Sequence, residues 1–194
     1  MQIWAGLGNP GAKYALHRHN VGFMAIDAIA ELRGFAPWST KFRSLVSEGR
    51  IGDQKILLVK PQTYMNDSGD AVQQALRFYK LDLDQLTVFH DELDLALMRV
   101  KVKIGGGTAG HNGLRSIDAH LGPEFRRVRI GIGHPGPGLK QLVTPYVLGN
   151  YSKADMEPLA DLLAAIADEA DWLAQGEDAR FISEVALSMQ QQPE

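Results

Sequence analysis

Five polar side chains stand at the points where an alternating pattern of strands and helices changes direction. They are Asn9 after the first strand, His19 before the first helix, Asn66 at a helix start, Asp91 at the end of an apolar strand and Asn112 after a glycine loop. A histidine beside a carboxylate is a general base whose tautomer is held in place. Asparagine amides can position a carbonyl or stabilise the oxyanion that develops on it. Taken singly, each residue has a plainer role. Asn9-Pro10 and Asn112-Gly113 are turn or capping pairs, Asn66 can simply cap, Asp91 can simply end a strand, and His19 can be a surface or capping histidine.

Other motifs carry less. Gly6-x-Gly8-x-x-Gly11 formally matches a dinucleotide fingerprint, but Pro10 removes a backbone donor and the helical pattern starts only near Asn20. Asp27 and Glu31 fall inside that helix, not at the end of a second strand where a ribose needs a carboxylate. The run Gly105-Gly106-Gly107-Thr108-Ala109-Gly110 lacks the Gly-Lys-Ser/Thr of a nucleotide-binding loop. Among the six histidines there is no H-E-x-x-H, and His17 with His19 point apart at that spacing. A metal at His90-Asp91-Glu92 is the less favoured alternative.

The elements that must position the five residues follow from periodicity. Ile3–Leu7 reads as a strand broken at Gly8 to Gly11, and Asn20–Arg33 as a helix stopped by Gly34. Ser44–Pro61 reads as a hairpin turning at Gly52-Asp53. Asn66, Asp67 and Ser68 offer caps to a helix with the stripe Val72, Ala75, Leu76 and Tyr79. Leu86–Phe89 is a buried strand. Met98–Ile104 alternates Met98, Val100, Val102 and Ile104 with Arg99, Lys101 and Lys103, one core face and one cationic face. Val128, Ile130 and Ile132 repeat that pattern opposite Arg127 and Arg129. One helix is expected over Asp155–Gln175 and another over Asp178–Met189. Interleaved strands and helices with one hairpin predict an α/β fold, a single domain with a twisted mixed β-sheet flanked by helices.

Composition agrees with one core: 194 residues, 45% apolar and 22% charged. No cysteine means no disulfides or thiolate metal sites, and suits a reducing, cytoplasmic setting. Neither a leader pattern nor a membrane-spanning run is visible, so no membrane partner is expected. Residues 1–152 carry 18 Lys+Arg against 13 Asp+Glu, whereas 153–194 carry 2 against 10. A basic body followed by an acidic helical part permits an anionic partner, although a solvated surface explains either excess as well.

In combination, GLGNPGAKY (6–14), RHNVGF (18–23), KPQTYMNDSG (60–69), HDELDL (90–95), GHNGLRSI (110–117) and RIGIGHPG (129–136) resemble bacterial-type peptidyl-tRNA hydrolases, with order and spacing intact from Met1 to about Tyr151. The resemblance implies cleavage of the ester between a peptide and the 3′ ribose of tRNA by a monomer, without metal, cofactor or obligate protein partner. It implies that His19 takes the proton of the attacking water, that Asp91 orients its ring, and that Asn9 senses a blocked amino group. Tyr14, Tyr64, Asn66 and Asn112 would contact substrate, with Met65 lining the pocket. Lys103 and Arg129 would hold tRNA phosphate, in agreement with the cationic strand faces. An ester is already activated, so a base, a positioned water and an amide-lined oxyanion site suffice.

There are three departures from the family pattern: His17 where Thr is usual, Tyr64 where Phe is common, and Thr108-Ala109 where the loop usually carries glycine next to Gly110. If the loop needs φ > 0 at Ala109, its Cβ costs about 1 kcal/mol. The acidic helix after Asp155 is a candidate lid over the crevice. Two rival functions stand beside this one: an RNA-binding protein without hydrolysis, as in some relatives that serve in splicing, and the nicotinamide enzyme suggested by the glycines.

Overall fold

The computed structural model describes residues 1–191; the last residues of the expected 1–194 domain, 192–194, lie outside it. In chain order the elements are β1 (Gln2–Gly6), α1 (Val21–Leu32), β2 (Ser39–Lys41), β3 (Ser44–Ile51), β4 (Gln54–Pro61), α2 (Ser68–Tyr79), β5 (Leu86–Glu92), β6 (Val100–Ile104), α3 (Asn112–Leu121), β7 (Arg126–Gly131), α4 (Val143–Val147), α5 (Met156–Asp168), α6 (Ala170–Ala174) and α7 (Asp178–Gln190). They form a seven-stranded sheet in the order β2-β3-β4-β1-β5-β7-β6. β4, β1, β5 and β7 run parallel, and the antiparallel β2-β3 and β6 close the two edges. This is the mixed sheet that the pattern predicts.

Alternation along the central strands divides the core in two. Trp4, Ile56, Leu58, Phe89, Val128 and Ile130 face α1, α5, α6 and α7. Ile3, Ala5, Leu57, Val59, Leu86 and Val88 face α2 and α3. Strands covered on both sides are largely apolar, which is why most of β1 and the first half of β5 read as hydrophobic runs. Two of the three glycines of the would-be dinucleotide motif are spent on this packing, and the third, Gly11, takes φ 115 in the turn that follows. A Cβ on Gly6 would lie 2.3 Å from the Gly22 carbonyl of α1, and one on Gly8 would lie 2.6 Å from the Phe23 ring. Close helix-on-strand contact accounts for Gly6 and Gly8, and a positive φ for Gly11.

Several boundaries differ from expectation. β6 begins at Val100, because Met98 takes φ 65 in a turn and cannot continue a strand. As an edge strand, β6 leaves Ile104 62% exposed, so its apolar face is only partly core. Arg127 belongs to no solvated cationic face: it is buried, donating to the carbonyls of Gly107 and Pro123 and to Asp118. The helix expected over Asp155–Gln175 breaks at Glu169, where Arg33, just past the end of α1, donates to the carbonyls of Ala167 and Asp168 and satisfies acceptors released by the break.

The C-terminal helices also correct the lid expectation. Leu159, Leu162, Ile166, Leu173 and Phe181 are fully or almost fully buried in the main core, so α5 to α7 are structural. The short α4 overhangs the cleft instead. Five residues are too few for periodicity to reveal, and α4 follows a stretch dense in Gly and Pro.

Candidate active site

β1, β4 and β5 all end at the same side of the sheet, and the loops leaving them border a cleft of about 560 Å³. Asn9, His19, Tyr64, Met65, Asn66, Asp91 and Asn112 all line it. The opposing wall is apolar and comes from Leu93 and α4 with its flank: Val143, Val147 and Leu148. Tyr14 is not among the lining residues; its ring lies 5.3 Å from that of His17. Lys103 and Arg129 line an adjoining cavity of about 210 Å³, which shares Glu92, Thr108 and Ala109 with the main cleft.

At the floor, Asp91 is 4% exposed and bridges two imidazoles. Its Oδ2 lies 2.9 Å from His19 Nδ1 and its Oδ1 lies 2.7 Å from His111 Nε2. The other ring nitrogen of His111, Nδ1, accepts from the backbone N–H groups of Gly113 and Leu114 and so caps α3. That fixes the His111 proton on Nε2, donated to Asp91. His19 likewise donates its Nδ1 proton, which leaves Nε2 as the basic nitrogen.

Burial lowers the His19 pKa, but the charge of Asp91 and its hydrogen bond outweigh this and raise it above the ordinary value of 6.5. Burial would raise the carboxyl of Asp91, yet the two histidines hold it far below the usual carboxylate range. His90, the neighbour of Asp91, is pushed down to about 3 by burial and stays neutral.

His19, Asp91 and His111 present donor atoms within 4.8 Å of one another, the spacing of a possible metal set. The hydrogen bonds argue against a resident ion. A metal needs an unprotonated nitrogen, and His111 Nε2 can shed its proton to Nδ1 only by confronting two N–H donors at the start of α3.

The asparagines are held from behind. Asn9 and Asn20 exchange hydrogen bonds: the Asn20 amide donates to the Asn9 carbonyl, and the Asn9 N–H donates to Asn20 Oδ1, both at 2.9 Å. Asn9 Oδ1 then accepts from the Met65 N–H at 3.0 Å, which turns its Nδ2 away from that contact. Asn66 does not cap α2; it is exposed on the cleft, and a 3-10 turn from Met65 to Asp67 leads into the helix. His111 and Asn20 are the polar residues that sequence reasoning passed over. Each stands beside a residue that was picked but holds a different one, His111 holding Asp91 and Asn20 holding Asn9, and that role shows only in the fold.

The glycine loop does need a positive φ at Ala109, which takes 48°. Ala109→Gly is expected to stabilise the protein by up to about 1 kcal/mol, read as a rise in Tm. An unchanged or lower Tm would mean that the loop relaxes around alanine at no cost.

Fold and site together define an α/β protein equipped for general-base chemistry at an amide-lined cleft. The model of the peptidyl-tRNA hydrolase family matches residues 3–193. The peptidyl-tRNA hydrolase of Rhizorhabdus wittichii is 65% identical over 97% of this chain and 99% of its own, and that of Erythrobacter litoralis is 62% identical over 98% and 100%. The crystal structure of peptidyl-tRNA hydrolase from Acinetobacter baumannii superposes with a TM-score of 0.88 at 35% identity, covering 95% of this chain and 94% of that one. The chain belongs to the peptidyl-tRNA hydrolase family.

Proposed function

We propose that this protein hydrolyses the ester joining a peptide to the 3′ ribose of tRNA, with His19 as general base and Asp91 as its orienting partner. The observation that carries the proposal is the His19–Asp91 pair on the floor of an asparagine-lined cleft. Water on the His19 Nε2 side attacks the ester carbonyl while Nε2 takes its proton. In this reading the amides of Asn66 and Asn112 receive the oxyanion, and Asn9 the amide of a blocked amino group. As the carbonyl re-forms, the bond to the ribose oxygen breaks and His19 returns the proton to that oxygen. The products are a free peptide acid and a tRNA with its hydroxyl restored. Tyr64, 68% exposed at the rim, offers an aromatic face to substrate, and Tyr14 contacts substrate from beyond the cleft lining.

In this proposal the adjoining cavity takes a phosphate of the same tRNA. Arg129 is already held by Glu92, its Nη2 at 2.7 Å and its Nε at 2.8 Å from one carboxylate oxygen, so part of its fork is free for an anion. Lys103 lies on the exposed face of β6. The domain works as one unit, a basic body with an acidic helical end, in the cytoplasm as a monomer without cofactor or obligate protein partner. Among the described residues no helix is long and apolar enough to cross a membrane.

The test is release of the acyl group from N-acetyl-aminoacyl-tRNA and from unblocked aminoacyl-tRNA, in EDTA. Cleavage of the blocked substrate alone is expected. Lys103→Ala should reduce the slope of log affinity against log salt by about 1. A folded protein that binds tRNA but cleaves neither substrate would favour the RNA-binding alternative, and an unchanged slope would remove the phosphate assignment.

A further inference from the structure

We propose that Arg18 is a positioning residue for His19, holding the turn that carries the base in register with the apolar wall of the cleft. The inference rests on the function proposed above. His19 sits in a 3-10 turn, Arg18–Asn20, immediately before α1. On one side of the base, Asn20 ties this turn to Asn9 and through it to Met65, the asparagine wall. On the other side, Arg18 ties it to the segment that forms the opposing wall.

That second tie has several strands. The Arg18 N–H donates to the Gly149 carbonyl at 3.0 Å, and its Nη1 donates to the Tyr146 carbonyl at 3.1 Å, at the end of α4. Its guanidinium lies 4.2 Å from the centroid of the Tyr146 ring. Around it, the Tyr151 N–H donates to the Leu16 carbonyl, and His17 forms an antiparallel bridge with Asn150. A planar cation that both stacks on a ring and caps a carbonyl is a part lysine cannot reproduce.

α4 depends on such ties. A helix of five residues has no stability of its own. The chain before it passes through Gly133, Gly136 and Gly138, all at positive φ, so that side offers little restraint. The hydroxyl of Tyr146 also donates to the Ile132 carbonyl at the exit of β7. The C-terminal end of α4 is therefore pinned at Tyr146, and Arg18 is the side chain that joins this pin to the catalytic turn. The Nε of Arg18 is buried and has no partner among the described residues, and its Nη1 is committed to the Tyr146 carbonyl, so the guanidinium serves this contact.

Without Arg18, the base and the wall that presses substrate toward it would move independently. A displacement of about 1 Å at a reacting group costs on the order of a hundredfold in rate. Arg18→Ala, assayed well below its measured Tm, is expected to lower kcat by about tenfold to a hundredfold, with KM within about threefold and the salt slope unchanged. Arg18→Lys should fall between the parent and Arg18→Ala, and millimolar guanidinium should restore part of the alanine variant's kcat. The double variant Arg18→Ala/Tyr146→Leu should be no slower than the slower single variant.

A readout independent of turnover is the nitrogen NMR signal of the His19 ring, expected to shift or broaden in Arg18→Ala. A kcat within twofold of the parent, a loss confined to KM and salt slope, multiplying losses in the double variant, or an unaltered His19 signal would each overturn the proposal. Failure of the unaltered protein to cleave any acyl-tRNA would instead count against the proposed function, while the NMR comparison still decides the role of Arg18.

Discussion

Replacing His19 with alanine is expected to lower kcat on N-acetyl-aminoacyl-tRNA by about 10²–10⁴, the usual contribution of a positioned general base. KM should change little, because His19 contributes a proton acceptor and not an anion contact. Residual cleavage should remain, since Asn66 and Asn112 still line the cleft, where the proposed mechanism has them receive the oxyanion. The pH profile carries the more specific signature. Only neutral His19 can accept a proton, and its pKa is raised above 6.5 by Asp91. For the parent, kcat/KM should therefore rise with pH through that raised value, and this limb should disappear in His19→Ala. The substitution also leaves buried Asp91 with one imidazole donor in place of two, at a cost of roughly 1–3 kcal/mol of stability. Folding must be measured alongside. A folded His19→Ala protein retaining more than a tenth of the parent kcat would remove His19 from the role of base.

How far the sequence foretold this site depends on the distance over which each residue's reason acts. The strands that end at the cleft were legible because burial on both faces leaves a dense apolar run, as in Ile3–Leu7 and, with only Thr87 intervening, Leu86–Phe89. The hairpin at Gly52 was legible because its turn is local, and Gly52 does take φ 56. Local patterns failed where a tertiary contact decides. Arg33 reaches from the C-cap of α1 to the end of α5, 134 residues away, and nothing near Glu169 announces the break there. Arg127 resembles half-buried Arg129 in the pattern and is nevertheless buried, because the 105–107 loop and α3 close over it. At the site, Asn9, His19, Asn66, Asp91 and Asn112 declared themselves as polar residues at element ends. His111 and Asn20 did not, since each holds another residue in place, and the apolar wall of α4 has no chemistry to declare. Family resemblance supplied the roles; periodicity supplied only the places.

Asp91→Asn is the sharper test of the arrangement around His19, because it changes charge with almost no change in shape. Asp91 accepts from two donors on two oxygens, His19 Nδ1 and His111 Nε2. Asparagine has one acceptor oxygen and an N–H₂ group, so one of the two rings must meet a donor. His111 cannot turn away, since its Nδ1 is committed to the start of α3. If the amide oxygen serves His111, the N–H₂ faces His19 and drives its proton onto Nε2, where the base should be empty. The expected consequence is a fall in kcat of about 10²–10⁴, comparable to the loss when a tautomer-fixing aspartate is replaced in a catalytic triad. The acid limb should move as well, and its direction follows from the balance of forces on His19. Burial lowers the His19 pKa and Asp91 raises it, so with the carboxylate gone burial prevails and the limb shifts to lower pH. The variant should thus have a much lower plateau that persists further into acid. A reduced plateau with an unmoved limb would show that Asp91 only orients the ring, and an unchanged plateau would show that His19 needs no fixed tautomer.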